Sequence, residues 1–335
     1  MTLQSSGQIS FSNITNEFGT PSGNNLGAFR VSENIGSLSN LPLDTNIPST
    51  GEIKFSDFHG KRLNVVVDCF SGGTETRANA RSKYNDGQLD VVGGLRSEPS
   101  PPSGIKVIIN VDKSFKSVKN QNQKYVALRT GEYGSDCLIR VDVGSEGYIG
   151  GAGGDGGKGG NEGGPKKGKN GNSALGIDHE SSDGTTVINN SGTISAGYGG
   201  GGGGGGAYDY DKNSSRHAGG GGGGGGAGFP AGKGGKGGTK GSDGENGSSG
   251  GLNSAGSGGE GGDNDEEAVG GNGGNGGSNG EEANTGGEGN GGEESETNGK
   301  AGGGDGAAIR RQSGITISVV NNGTIRGSTT ATGVA

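Results

Sequence analysis

From residue 232 to 250 glycine falls on every third position: Gly232, Gly235, Gly238, Gly241, Gly244, Gly247 and Gly250. The same period holds with two glycines per triplet in 150–161 (GGAGGDGGKGGN) and 270–278 (GGNGGNGGS), while 199–206 and 219–226 are unbroken glycine. Only 15 of the 86 glycines precede Gly144. Residues from there on carry too little apolar matter to build an ordinary core. A three-residue period is that of the polyproline II helix, which makes no internal hydrogen bonds. Collagen uses this period, but Pro165 and Pro230 are the only prolines after Val143 and the phase restarts every few triplets.

Polyglycine II is the alternative: short helices packed side by side, each residue directing its N–H and C=O toward neighbouring helices. Without a Cβ, the backbones approach closely enough for N–H···O and Cα–H···O contacts. A helix enclosed on all sides must be glycine throughout, one on an outer layer can spare one position per triplet, and a peripheral one two. On this reasoning 199–206 and 219–226 lie inside the array, 150–161 and 270–278 on its faces, and 232–250 near its edge. A flexible linker is the competing reading. Ordering a residue costs about 1–2 kcal/mol against a net gain of about 1 kcal/mol per hydrogen bond, so only a dense, mutually bonded bundle survives. A period kept through varied residues favours that bundle.

The rest of the chain divides in two. Residues 1–60 hold an echo, GQISFSNI at 7–14 and GEIKFSDF at 51–58. The Ile and Phe of each copy, two apart, share one face of an extended strand. Ile9, Phe11, Ile14, Ile53, Phe55 and Phe58 are therefore candidates for docking this small segment on a partner. Residues 61–143 carry short β-branched runs broken by Gly, Pro, Asn and Ser, which suits a small β-sandwich-like domain. The units VINNSGTIS (187–195) and VVNNGTIR (319–326) look like hairpins bracketing the glycine tracts. The expected fold is all-β with essentially no α-helix: a small β-domain, then a polyglycine II sandwich of polyproline-type helices over 144–335.

A formal charge of −8 argues against nucleic acid as a partner. No apolar run is long enough to insert in a membrane, and MTLQSSGQISF has neither the basic nor the apolar region of a signal peptide. Cys69 and Cys137 sit in strand-like runs, in phase with apolar neighbours, and are read as two buried thiols in preference to a disulfide. His59, His179 and His217 have the spacing of no metal site, and no catalytic constellation stands out, so neither metal, cofactor nor enzyme is expected. The formal dinucleotide fingerprint at Gly151, Gly153 and Gly156 lacks βαβ context.

The V-x-N-x-G-T-I units followed by long glycine runs and polar interruptions resemble the glycine-rich adhesins at the long tail-fibre tips of T-even-like phages. The resemblance covers about 137–335. It implies a virion protein whose polyglycine II sandwich presents loops to a bacterial outer-surface protein or polysaccharide. The GxIxFS segments instead look like N-terminal motifs of phage tail structural proteins, implying attachment to other tail or fibre proteins through the N-terminal part. The copy number, one or three per site, stays open.

Between the unbroken runs lies AYDYDKNSSRHA, 207–218. Its Tyr208, Asp209, Tyr210, Asp211, Arg216 and His217 are the receptor-binding candidates, because aromatic and Arg side chains are enriched at recognition surfaces and loops on rigid scaffolds often carry function. Residues 241–299 hold 13 acidic residues and no Lys or Arg. They lack a calcium-loop spacing and are read as solubilising surface, with calcium left open. Two other functions fit parts of the sequence. One is a structural tail protein without receptor contact. The other is an ice-binding protein, which the acidic residues and unpaired cysteines disfavour.

Overall fold

A computed structural model describes residues 2–69, 75–119, 122–161, 164–211, 214–264, 268–279, 281 and 295–334, with the side chains at 75, 209–211, 214–215 and 295–296 outside that description. Its architecture is mostly β, with two short α-helices, Phe11–Phe18 and Ala80–Asn85, among the described residues.

Strands Asn64–Cys69, Lys106–Val111, Leu138–Val143, Thr186–Asn190 and Ile317–Asn321 lie side by side, parallel and in chain order. A second sheet stacks Glu75–Thr76, Ser114–Lys116, Tyr148–Gly150, Thr193–Ser195 and Thr324–Arg326 in the same way. A third stacks Ala78–Asn79, Leu128–Arg129, Leu175–Ile177, Ile309–Arg311 and Ala331–Thr332. Each circuit of the chain gives one strand to each sheet, so 64–332 winds as a three-sided parallel β-solenoid.

The cause is a column of apolar residues repeated once per circuit. Val67, Ile109, Val141, Ile188 and Val319 pair in register down the first sheet. Phe115, Ile149, Ile194 and Ile325 do so down the second, and Leu128, Leu175 and Ile309 down the third. No single circuit can bury its own apolar face; stacking buries them all. The small sandwich expected over 61–143 is therefore not what these strands make, since their partners lie in later circuits. VINNSGTIS is likewise not a hairpin. Its two strands flank a corner at Ser191–Gly192 and belong to different sheets. Cys69 and Cys137 are both buried and are not joined in a disulfide.

Residues 1–60 depart from the extended reading. Ser10 caps Phe11–Phe18, its Oγ accepting from Asn13 N at 3.2 Å while Asn13 Oδ1 accepts from Ser10 N at 2.9 Å. In the echo, Asp57 Oδ2 accepts from Lys54 N at 2.7 Å and opens the 3-10 turn Phe55–Phe58. The repeated motif is thus a helix-start signal: a capping residue, its N3 partner, and apolar residues at N′ and N4 (Ile9 with Ile14, Ile53 with Phe58) as in a hydrophobic staple. Phe18, Phe29 and Phe58 then meet with ring centroids 5.6–6.2 Å apart, in one core with Leu63, Val65 and Val67 of the first circuit. The segment so covers the start of the solenoid. Its hairpin of Ser32–Ile35 and Leu38–Pro42 covers the outward-facing Val66, Val92 and Ile108.

Two excursions leave the solenoid after its second sheet and return at its third: 151–174 and 196–308. They run as extended segments joined sideways, with a bond at every third residue. Gly154, Gly157 and Gly160 donate to the carbonyls of Tyr198, Gly201 and Gly204 at 2.8–2.9 Å, and Gly201 and Gly204 donate to Gly224 and Gly221 at 2.8–2.9 Å. Segment 219–228 is bonded to 150–161, 197–206, 231–239, 242–251, 256–262 and 270–278, and so is enclosed on every side. Segments 231–239 and 242–251 lie at the rim, bonded to 219–228 and to each other. The run 232–250 is thus two segments turning at Gly241, where φ is +72°. Within the segments the glycines, Gly228 aside, keep out of the left-handed region, so close approach is what requires them.

A Cβ on Gly223 would sit 2.1 Å from the Gly201 carbonyl oxygen, whereas one on Gly164 meets nothing within 4 Å. Gly223→Ala is expected to destabilise the protein by at least the ~1–3 kcal/mol of core overpacking, and Gly164→Ala by less than ~0.5 kcal/mol; paired thermal melts check this. Phe58 is fully buried and Phe55 is 42% exposed. Phe58→Ala should cost about 3–5 kcal/mol in denaturant titrations, and Phe55→Ala little.

Candidate functional site

The segments alternate in direction, so every other connection faces away from the solenoid. At the near end the array is fixed to it: Gly151 N donates to Ser195 O at 2.9 Å, Asn172 Nδ2 to Ser117 Oγ at 2.7 Å, and Arg326 Nη1 to Asn253 Oδ1 at 2.8 Å. Tyr148 and Phe229 pack edge to face there. The far end gathers segments remote in sequence.

Ala207–Asp211 and Ser214–Ala218 form an antiparallel hairpin rising directly from the interior segments, and Ser295–Glu296 adds a strand beside Ala207 and Tyr208. A second hairpin, Asp263–Asn264 with Ala268–Val269, stands next to it. Ala207, Ala218 and Ala268 pack together at its root, small enough for the hairpins to meet. Asn264 Nδ2 donates to His217 O at 3.3 Å, and Ser242 Oγ to Asp263 O. The ends of the neighbouring segments are closed by polar side chains. Thr297 Oγ1 accepts from Gly206 N at 2.8 Å and donates to Gly206 O at 2.8 Å, while Asn161 Oδ1 accepts from Thr239 N at 2.8 Å.

These elements enclose a cavity of about 240 Å³ lined by Asn161, Tyr208, His217, Lys240 and Thr297 with the backbone of Gly206. The rings of Tyr208 and His217, directly opposite in the hairpin, lie 4.6 Å apart at 38°. Of the receptor-binding candidates, Tyr208 and His217 line the cavity and Arg216 is half-buried beside them. Asp209, Tyr210 and Asp211 continue the strand, but their side chains lie outside the described residues. Asn161, Lys240 and Thr297 were not singled out from the sequence. Each closes or follows a glycine segment, and only the packing brings them to one place. Of the acidic interruptions, 263–269 reaches this far end, with Asp263 and Asn264 in its hairpin. Glu281 pairs with Ser278 at the near end, and 282–294 lie outside the described residues.

The docking candidates are mostly spent on internal packing. Ile9, Ile14 and Phe58 are buried, and Phe11 and Ile53 pack against the same core; Phe55 alone of the six is exposed. The sequence pattern marked residues that hold the segment to its own chain. His59 Nε2 lies 2.9 Å from Gly7 O. His179, buried against Tyr133, has its pKa lowered by burial. Among the described residues no group of three or more His, Cys, Asp or Glu side chains could hold a metal ion.

The family model described as phage tail fibre adhesin Gp38 matches residues 78–330, which takes in most of the solenoid and the whole array. No curated protein and no solved structure matches the chain.

Proposed function

This chain belongs to the phage tail fibre adhesin family, and we propose that it recognises a bacterial surface receptor through the elements gathered at the far end of its glycine array. Family membership implies a place on the virion tail and contact with other tail proteins and with the host surface. Among the described residues no helix is long and apolar enough to cross a membrane.

The observation that carries the proposal is convergence. Two hairpins and a third strand, from 207–218, 263–269 and 295–296, stand side by side at the end of the array remote from the solenoid. Their roots are locked by buried alanines and by backbone bonds to glycine segments, so the described strands rise from a rigid base, as binding elements require. The array is read as a polyglycine II sandwich, supported by its three-residue bonding step and by the enclosure of the pure-glycine run 219–226. Attachment to the fibre is assigned to the N-terminal part, whose exposed Phe55 is the apolar residue left available after the others pack inward.

Replacing residues 208–217 by a short Gly-Ser turn tests this. Adsorption of labelled protein to host cells is expected to fall at least tenfold with the thermal midpoint nearly unchanged. Unimpaired adsorption would instead assign the chain a structural role in the tail without direct receptor contact.

A further inference from the structure

The array is electrically two-sided. Segments 165–172, 150–161 and 231–239 lie in one row: Lys166 and Lys169 donate from their backbone N to Lys158 and Asp155, and Gly156 and Gly159 donate to Lys233 and Lys236, all at 2.8–2.9 Å. This row carries six exposed lysines, Lys158, Lys166, Lys167, Lys169, Lys233 and Lys236. Among the described residues none of the six makes an ion pair. Asp155 is the sole acidic residue of the three segments, and it is held by Lys119 Nζ at 3.1 Å and Lys233 N at 2.7 Å. The opposite layer, 256–262 and 270–278, presents Glu260, Asn272 and Asn275 and no lysine, and the rim segment 242–251 presents Asp243 and Glu245. In a chain of net charge −8 the array's exposed lysines, Lys300 of segment 299–306 apart, are thus gathered in one row.

That face runs into the cavity. Asn161, three residues beyond Lys158, and Lys240, four beyond Lys236, both line it. Triplet spacing sets successive side chains about 9 Å apart along a segment, and the crossing bonds set Lys158 at a level between Lys233 and Lys236. The result is a broad positive strip ending in an aromatic-lined hole. At about 240 Å³ the cavity falls below the ~300–1,000 Å³ of drug-sized sites and suits a single ring. Tyr208 supplies a flat apolar face with a polar tip, beside the amide of Asn161 and the hydroxyl of Thr297.

We infer that this face and cavity bind a phosphate-bearing glycan, one sugar ring lodged between Tyr208 and Lys240 while its phosphates lie along the lysine strip. The inference rests on the receptor-binding reading and names the chemistry of the receptor. Lysine suits phosphate as a mobile point charge with three donors. Single-stranded nucleic acid is a poorer fit, because it needs successive aromatic platforms along the strip and the strip's segments carry no aromatic side chain.

The test compares the unaltered protein, the triple variant K158Q/K233Q/K236Q and Tyr208→Ala on purified lipopolysaccharide from a strain the protein adsorbs to. Each is measured before and after the phosphates are removed with aqueous hydrofluoric acid, across a salt series. Among the described residues the three lysines bond into the array through backbone atoms alone, so the triple variant should melt as the unaltered protein does. It is expected to bind at least tenfold more weakly at low salt, with a shallower salt dependence and little further loss on dephosphorylated material. Tyr208→Ala should weaken binding at all salt concentrations with the slope retained. Equal binding by the triple variant, indifference to phosphate removal, or equally tight binding of a DNA oligonucleotide would each overturn the inference. In the first two cases, adsorption to cells that is lost on replacing 208–217 but kept with the lysines changed leaves receptor binding by the tip intact. Failure of the unaltered protein to adsorb to any strain would overturn both.

Discussion

The structure depends on how closely two peptide backbones can approach when neither carries a side chain. In the array a carbonyl oxygen repeatedly occupies the space a Cβ would need: 1.9 Å for Lys169 O beside Gly154, and 2.1 Å for Gly204 O beside Gly220. At that separation each segment exchanges hydrogen bonds with several others, and Cα–H···O contacts add weaker support. A lone extended glycine segment has no internal bonds to set against about 1–2 kcal/mol of ordering cost per residue. Stability is therefore collective: a segment is ordered because its neighbours are. An array of this kind tolerates side chains at positions that face outward or, like those of Ala196, Tyr198 and Ala227, in the small buried cluster they form together.

Collective order needs a fixed origin, and the solenoid provides it. Both excursions leave and return at the same pair of sheets in adjacent circuits, so stacked columns such as Ile149–Ile194 and Leu175–Ile309 set the starting positions of the first segments. The hydrophobic effect does the work in one half of the molecule and backbone hydrogen bonding in the other, and the two meet at Gly151, Asn172 and Ser195. The N-terminal segment completes the solenoid by covering its first circuit with Phe18, Phe29 and Phe58. Residues that look like a docking motif thereby become part of the core.

Rigidity in the array is what makes its far end and its outer face usable. Side chains there stand on a backbone fixed from several directions, so binding need not order the scaffold as well. The tip brings together stretches separated by up to about ninety residues, and the lysine strip assembles from segments whose charges are scattered along the chain. Such a division separates the demand for bare glycine inside from freedom of chemistry outside.

Period three and the absence of a side chain were legible directly: they dictated extended segments in mutual contact, because nothing else orders runs such as 219–226. The capping signals Ser10–Asn13 and Lys54–Asp57 are equally present, yet alternation of Ile and Phe also suits a strand, because both patterns put apolar residues on one side. Parallel stacking was hidden in the recurrence of single apolar residues such as Ile109, Val141 and Ile188 at irregular intervals, where inserted excursions break the spacing. The sequence by itself determined that glycine backbones must pack and that the polar interruptions must lie at their ends or on their faces. Which interruptions share an end, how Asn161, Lys240 and Thr297 come to border Tyr208, and which lysines share a face were decided only by tertiary structure, because lateral hydrogen bonds between identical glycines carry no address. The addresses come from the solenoid corners where each excursion begins.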